Sequence, residues 1–130
     1  MNMKKLSIAL TTLFGIGLLI FNSCGTVPIT GRRQLNLVSD GEILAASATQ
    51  YRQFISKSQL SHNSTYNNKV TQVGRRLAAA TNIYLKQNGY ESMLSTLSWE
   101  FNVVDSKQVN AFCMPGGKIV VYTGLLNLVG

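Results

Sequence analysis

A chain of 130 residues has room for one small domain, and its 45% hydrophobic content with a formal net charge of +7 describes a basic, globular composition. The basic residues are scattered. Beyond the first five residues they pair only at Arg32-Arg33 and Arg75-Arg76, and no basic run is interleaved with aromatics as a nucleic-acid surface requires. Nucleic acid is not an expected partner.

Met1 to Lys5 is a short basic start, Leu6 to Phe21 is mostly apolar, and Asn22-Ser23-Cys24 closes the run. This is the three-part layout of a secretory signal peptide, and it is short of the roughly 20 apolar residues a membrane span needs. Its removal takes Lys4 and Lys5 with it and lowers the formal charge by two. The remaining basic residues read as a solvated face, leaning toward anionic lipid. A small residue followed by Cys resembles a bacterial lipobox, although Phe21 and Asn22 depart from the usual residues there. The resemblance implies that Cys24 becomes the lipidated first residue. The alternatives are an uncleaved signal anchor and an ordinary signal peptide with an incidental Cys. With Cys24 acylated, Cys113 has no intrachain partner and no disulfide framework exists. Between Phe112 and Met114, Cys113 reads as a small buried hydrophobe rather than a nucleophile.

The expected division is 1–23 signal peptide, 24–38 extended tether and 39–130 folded domain. Pro28 and Gly31 punctuate the tether and leave it no helical period. Ser39-Asp40-Gly41-Glu42 is a capping box, and Leu44, Ala48, Tyr51 and Ile55 form a stripe, widened by Ile43 and Phe54, that predicts a helix to about Lys57. A polar loop, Ser58 to Ser64, holds His62, the single histidine. A second helix is predicted from near Thr65, with Tyr66, Val70, Val73, Leu77, Ala80 and Tyr84 on its inner face and Asn88-Gly89 as its stop. From Leu97 the period changes to two. Leu97, Trp99, Phe101 and Val103 face the core, with Ser98, Glu100 and Asn102 opposite, as in a half-buried strand. Asp105-Ser106-Lys107 connects to a strand over Val109–Cys113. Pro115-Gly116-Gly117 makes a turn, Ile119–Tyr122 is a further strand, and Thr123 is the N-cap of a third helix. The predicted fold class is α+β: two helices, a short three-stranded antiparallel meander and the start of a third helix.

The segment Asn110-Ala111-Phe112, Pro115-Gly116-Gly117, Ile119, Val121 and Gly124-Leu125-Leu126 resembles the hairpin of the HtpX and Oma-type zinc metallopeptidases, family forty-eight of the M peptidases. In that family the hairpin shortly precedes the helix bearing H-E-x-x-H. Pro28, Thr30, Gly31, Arg32, Gln34 and Leu35 also resemble the opening of the family's exported lipoprotein members. The resemblance implies an incomplete zincin-like domain, truncated before H-E-x-x-H. It implies that the strand of Asn110, Ala111 and Phe112 lines a substrate groove whose rim is shaped by Pro115, Gly116 and Gly117. On the residues alone, Asn110 capping a turn and Phe112 sitting in the core stand equally open. Cys113 departs from the small or aliphatic residue usual at its position.

Such a peptidase holds Zn²⁺ with two His at i and i+4, uses a Glu between them as general base, and takes a later Glu as third ligand. With one His, this chain cannot build that site, and Glu42, Glu91 and Glu100 do not replace the missing imidazole. The expectation is zinc in the complete enzyme, with no metal and no catalytic residue in this chain. Protein or peptide is the expected substrate, and the expected location is the bacterial cell envelope, lipid-anchored and facing the periplasm. A non-catalytic lipoprotein interaction module and a truncated inactive product are the alternatives.

Overall fold

Serine 39 stands immediately before the first helix of the computed structural model, which describes residues 24–27, 30–35 and 38–129. The expected signal peptide over residues 1–23 lies outside the described residues. The contacts divide the chain after Ser39. In the first unit β1 (Cys24–Thr26) and β2 (Arg33–Leu35) pair antiparallel, closed by Val27 N–H to Arg32 O at 2.7 Å and Gly31 N–H to Val27 O at 3.0 Å.

The second unit starts with α1 (Asp40–Lys57), acidic in its first turn and basic in its last, as the helix dipole favours. Its inner face carries buried Tyr51, with Phe54 and Ile55 packed beside it. The expected stripe holds at Leu44, Ala48, Tyr51, Phe54 and Ile55 and also contains buried Ser47, whereas Ile43, expected to widen it, is exposed. Next, α2 (Ser64–Gln87) is capped by Asn63, whose side chain accepts from Tyr66 N–H at 3.2 Å.

The inner face of α2 is rotated from the expected one. Val70, Gly74, Ala78 and Leu85 are buried, whereas Val73, Leu77 and Tyr84 are exposed. The cause is closeness of approach. A Cβ on Gly74 would stand 2.3 Å from the Phe101 ring, so the helix meets the sheet along its smallest residues. A hydrophobic period counts large side chains and cannot register that.

After a 3-10 helix at Glu91–Thr96, the sheet comprises β3 (Glu100–Val104), β4 (Ala111–Met114) and β5 (Lys118–Tyr122). The α+β class stands, with helices followed by a three-stranded sheet and α3 (Thr123–Val129). The antiparallel meander does not. The strand order is β3-β5-β4, with β5 parallel to β3 and antiparallel to β4. Lys118-Ile119-Val120-Val121-Tyr122 is nearly continuous in β-branched and aromatic residues, the pattern of a strand covered on both faces. It takes the centre, and Val120 is fully buried. The same layering corrects the half-buried reading of β3. Val104 joins Tyr51, Val120 and Tyr122 on the α1 side, while Val103 joins Val70 and Leu126 on the α2 side.

Thr123 is the first residue of α3 rather than its cap. Its hydroxyl accepts from Ser106 N–H at 3.0 Å and lies 3.0 Å from both Asp105 Oδ1 and Ser106 O, tying the β3–β4 connection to the helix start.

Candidate functional site at the open sheet edge

The two edges of the sheet are treated differently. Along the outer side of β3, Ser61 N–H donates to Val103 O at 2.9 Å and Asp105 N–H donates to Gln59 O at 2.7 Å, with a bridge at Leu60 and Val104. The Val103–Asp105 end of that edge is covered. At the other edge, Tyr122 N–H donates to Asn110 O at 3.0 Å, and β4 then pairs Ala111 with Val121 and Phe112 with Val120. Bonded and non-bonded pairs alternate in an antiparallel ladder. Asn110/Tyr122 and Phe112/Val120 are thus the bonded pairs. Ala111 and Cys113 turn their N–H and C=O groups outward, where no described strand takes them.

Side chains of β4 alternate as strictly. Phe112 and Met114 pack on the α1 side, and the Phe112 ring meets Phe54 edge-on at 5.3 Å and Tyr122 at 6.2 Å. Ala111 and Cys113 are exposed on the α2 side. Cys113 is thus not the buried hydrophobe expected, because only one face of the edge strand is covered. Desolvation still pushes its thiol up from the ordinary value, which keeps it protonated and a weak nucleophile at neutral pH. The structure brings Ala111, Phe112, Pro115, Gly116 and Gly117 onto one hairpin, with exposed Asn110 leading into it.

The tip of that hairpin is tied on both sides. Three successive carbonyls each accept a hydrogen bond from a different element: Pro115 O from Ser47 Oγ at 3.0 Å, Gly116 O from Ser98 N–H at 2.9 Å, and Gly117 O from Glu100 N–H at 3.0 Å. Gly116 and Gly117 sit at φ +89° and +79°, a region that side chains resist, and a Cβ on Gly117 would stand 2.9 Å from the Trp99 ring. Behind the tip, buried Lys118 donates to Ser98 O and Glu100 Oε1, both at 2.5 Å, and lies 5.9 Å from the Tyr51 ring centroid. Sequence reasoning missed Ser47, Trp99 and Lys118 as supports of the tip. A polar residue within an apolar helical stripe was the available signal for Ser47.

Burial holds the Tyr51 phenol above its ordinary 10.0. The hydrogen bond from Asn102 Nδ2, at 2.6 Å, opposes the shift and the charge of Glu100 adds to it. A raised folded value means that the folded state keeps this proton longer than the unfolded chain does. The stability contributed is present below pH 10 and is lost as pH rises through the folded value. Urea midpoints measured across alkaline pH should therefore fall above pH 10, and a Tyr51→Phe variant should show a shallower fall.

Among the described residues, cavities lie beside the sheet and its helices. One, of about 340 Å³, is apolar and lies between α2, β5 and α3, lined by Val73, Leu77, Ile119, Val121 and Leu126. Another, of about 300 Å³, is polar and holds His62 with Tyr66, Asp105, Thr123 and Asn127. Among the described residues no group of three or more His, Cys, Asp or Glu side chains could hold a metal ion. The residues present do not fit a zinc centre: His62 is the single imidazole of the chain. Nor, among the described residues, is any helix long and apolar enough to cross a membrane.

The sequence profile of Peptidase family M48 matches residues 64–130, which is more than half of the chain and includes all of β3, β4 and β5. The chain belongs to peptidase family M48. Among curated proteins, this M48 chain is 32% identical over 120 residues to the Metalloendopeptidase OMA1, mitochondrial, of Danio rerio, covering 90% of the chain and 24% of that protein. It is 29% identical over 133 residues to the human protein of the same name, covering 98% of the chain and 24% of the relative. With the Mitochondrial metalloendopeptidase OMA1 of Arabidopsis thaliana it shares 57% identity over 42 residues, 32% of this chain and 9% of that protein. The chain thus spans about a quarter of the length of the two animal relatives. The matched residues 64–130 include the whole of the hairpin.

Proposed function

We propose that this chain is the N-terminal part of an exported, lipid-anchored zinc metalloendopeptidase acting on proteins of the bacterial cell envelope, and that β4 is the ledge on which substrate lies. The observation that carries the ledge is the open edge. Ala111 and Cys113 offer outward N–H and C=O groups to an extended peptide, which can pair with them as an added strand. An extended substrate exposes its scissile bond to solvent and presents it in a fixed register, which is what positioning for hydrolysis requires. Ala111 has a small side chain that leaves room for a second backbone, while Phe112 holds the strand to the core from behind.

In the complete enzyme the zinc site would be made by residues outside this chain, since the donors here do not form one. The apolar groove beside α2, with Val73 and Leu77 about half exposed, favours a domain against which further elements pack. The greater length of the relatives favours the same reading. Anchoring rests on Cys24 and the signal-like residues before it. The second reading is a lipoprotein interaction module that captures extended segments on β4 without cutting them. The single histidine favours it for these 130 residues taken alone.

The test is to express these residues with whatever coding sequence follows codon 130, and to measure zinc content and chelator-sensitive cleavage of a reduced, carboxymethylated protein. An H-E-x-x-H in that sequence, one equivalent of zinc and cleavage are expected. The 130-residue chain alone should hold no stoichiometric zinc. Peptide capture without zinc or cleavage in the longer product would favour the module. Intact mass of membrane-purified protein should show loss of Met1 to Ser23 and an added acyl mass, and wild-type fractionation of a Cys24→Ala form would remove the anchor from the proposal.

A further inference from the structure

Serine 47 is an unusual residue for its place. It lies inside α1, one turn before Tyr51, on the face that packs against the sheet, and is only 5% exposed. A serine within a helix ordinarily points to solvent or bonds back to a carbonyl of its own helix. This one donates across 68 residues of sequence to Pro115 O, at the tip of the hairpin. Leu44, one turn earlier on the same face, has its Cδ2 3.7 Å from where a Gly116 Cβ would be. The helix therefore holds the tip by one hydrogen bond, with the Leu44 side chain lying on the side where a Gly116 Cβ would project.

The consequence follows from the ladder. Gly116 O and Gly117 O are held from the β3 side by Ser98 and Glu100, so the β5 end of the turn is fixed to the sheet. Pro115 directly follows β4, and its carbonyl is held by Ser47. Without that bond β4 keeps its inward pairing with β5 but loses the tether that holds its last residues at a set height against α1. The outward groups of Cys113 and Ala111 lie two and four residues before Pro115.

We infer that Ser47 is a positioning residue for the substrate ledge: its hydroxyl fixes the Pro115 end of β4, and with it the register in which an extended peptide pairs with Ala111 and Cys113. This inference rests on the reading of β4 as the ledge. Amide hydrogen exchange on the whole 130-residue chain can judge the two separately, using wild type, Ser47→Ala and Ser47→Thr, with and without reduced, carboxymethylated α-lactalbumin as the probe. In wild type the probe should slow exchange at Ala111 and Cys113; no such slowing would overturn the ledge itself. In Ser47→Ala, exchange at Met114, whose N–H faces β5 in the bonded pair with Lys118 and which directly precedes Pro115, should rise about tenfold without the probe, the size of one hydrogen bond, and the probe should bind about tenfold more weakly. Val103 and Val120 should keep wild-type exchange, and Ser47→Thr, which restores the hydroxyl, should restore both quantities. Wild-type exchange and affinity in Ser47→Ala would overturn the role of Ser47 and leave the ledge standing. A rise spread evenly to Val103 and Val120, or failure of Ser47→Thr to rescue binding, would reduce Ser47 to a packing residue and equally overturn the inference.

Discussion

Replacing Gly124 with alanine should destabilise the domain by about 3 kcal/mol, the upper part of the range for forcing extra atoms into a packed interior. A Cβ there would stand 2.4 Å from Gln108 O and 2.5 Å from Lys107 O, both main-chain atoms of the β3–β4 connection. Neither can step aside, because the connection is held by Gly124 N–H to Ser106 O at 2.8 Å and by the Thr123 hydroxyl. The gain in helix propensity from glycine to alanine is about 1 kcal/mol at most, less at a helix end, and does not offset the clash. For a domain of this size the loss corresponds to a fall in Tm of roughly 12 to 24 °C. Thermal unfolding followed by circular dichroism decides it. A Tm within 2 °C of wild type would show that the connection moves freely and that the 105–110 segment does not fix the start of α3.

The second large effect is functional. Ala111→Pro should reduce peptide capture on β4, and cleavage by the longer enzyme, by about a hundredfold or more, because it removes an outward N–H and adds a ring where the substrate backbone approaches. The fold should survive, since proline is tolerated on edge strands where its missing N–H faces away from the ladder. Phe112→Pro is the control. Its N–H points inward in the bonded pair with Val120, so that variant should lose stability at once. Undiminished capture by a folded Ala111→Pro chain would place the substrate elsewhere, whereas unfolding of that variant would mean that the Ala111 N–H is used inside the protein.

Local signals were legible and long-range ones were not. The start of α1 after Ser39, its end at Lys57 and its Tyr51 stripe could be read because capping and helical period are properties of adjacent turns. The Pro-Gly-Gly hairpin was legible for the same reason, since its φ values of +89° and +79° demand glycine. The place of β5 was not read correctly, although its unbroken apolar run carried the signal for a central strand. Pairing between Phe101 and Ile119 joins residues with a whole hairpin between them, and hydrophobic alternation does not name a partner. The rotation of α2 was hidden because Gly74 and Ala78 act through what they lack. In the candidate site, Asn110 to Gly117 stood out by resemblance alone, while the open edge beside them follows from a strand order that no run of adjacent residues encodes.

The strand order also sets a timetable for synthesis. β5 is the last of the three strands to leave the ribosome, yet β3 and β4 each pair with it and not with each other. Until Tyr122 has emerged the three-stranded sheet cannot be complete, and the Tyr51 face of α1 has no completed surface to close upon. Non-local and parallel pairings form slowly and leave strand edges exposed in the interval. The nascent segment from Asp40 therefore stays open until its central strand has emerged, and a holding chaperone has that interval in which to engage it.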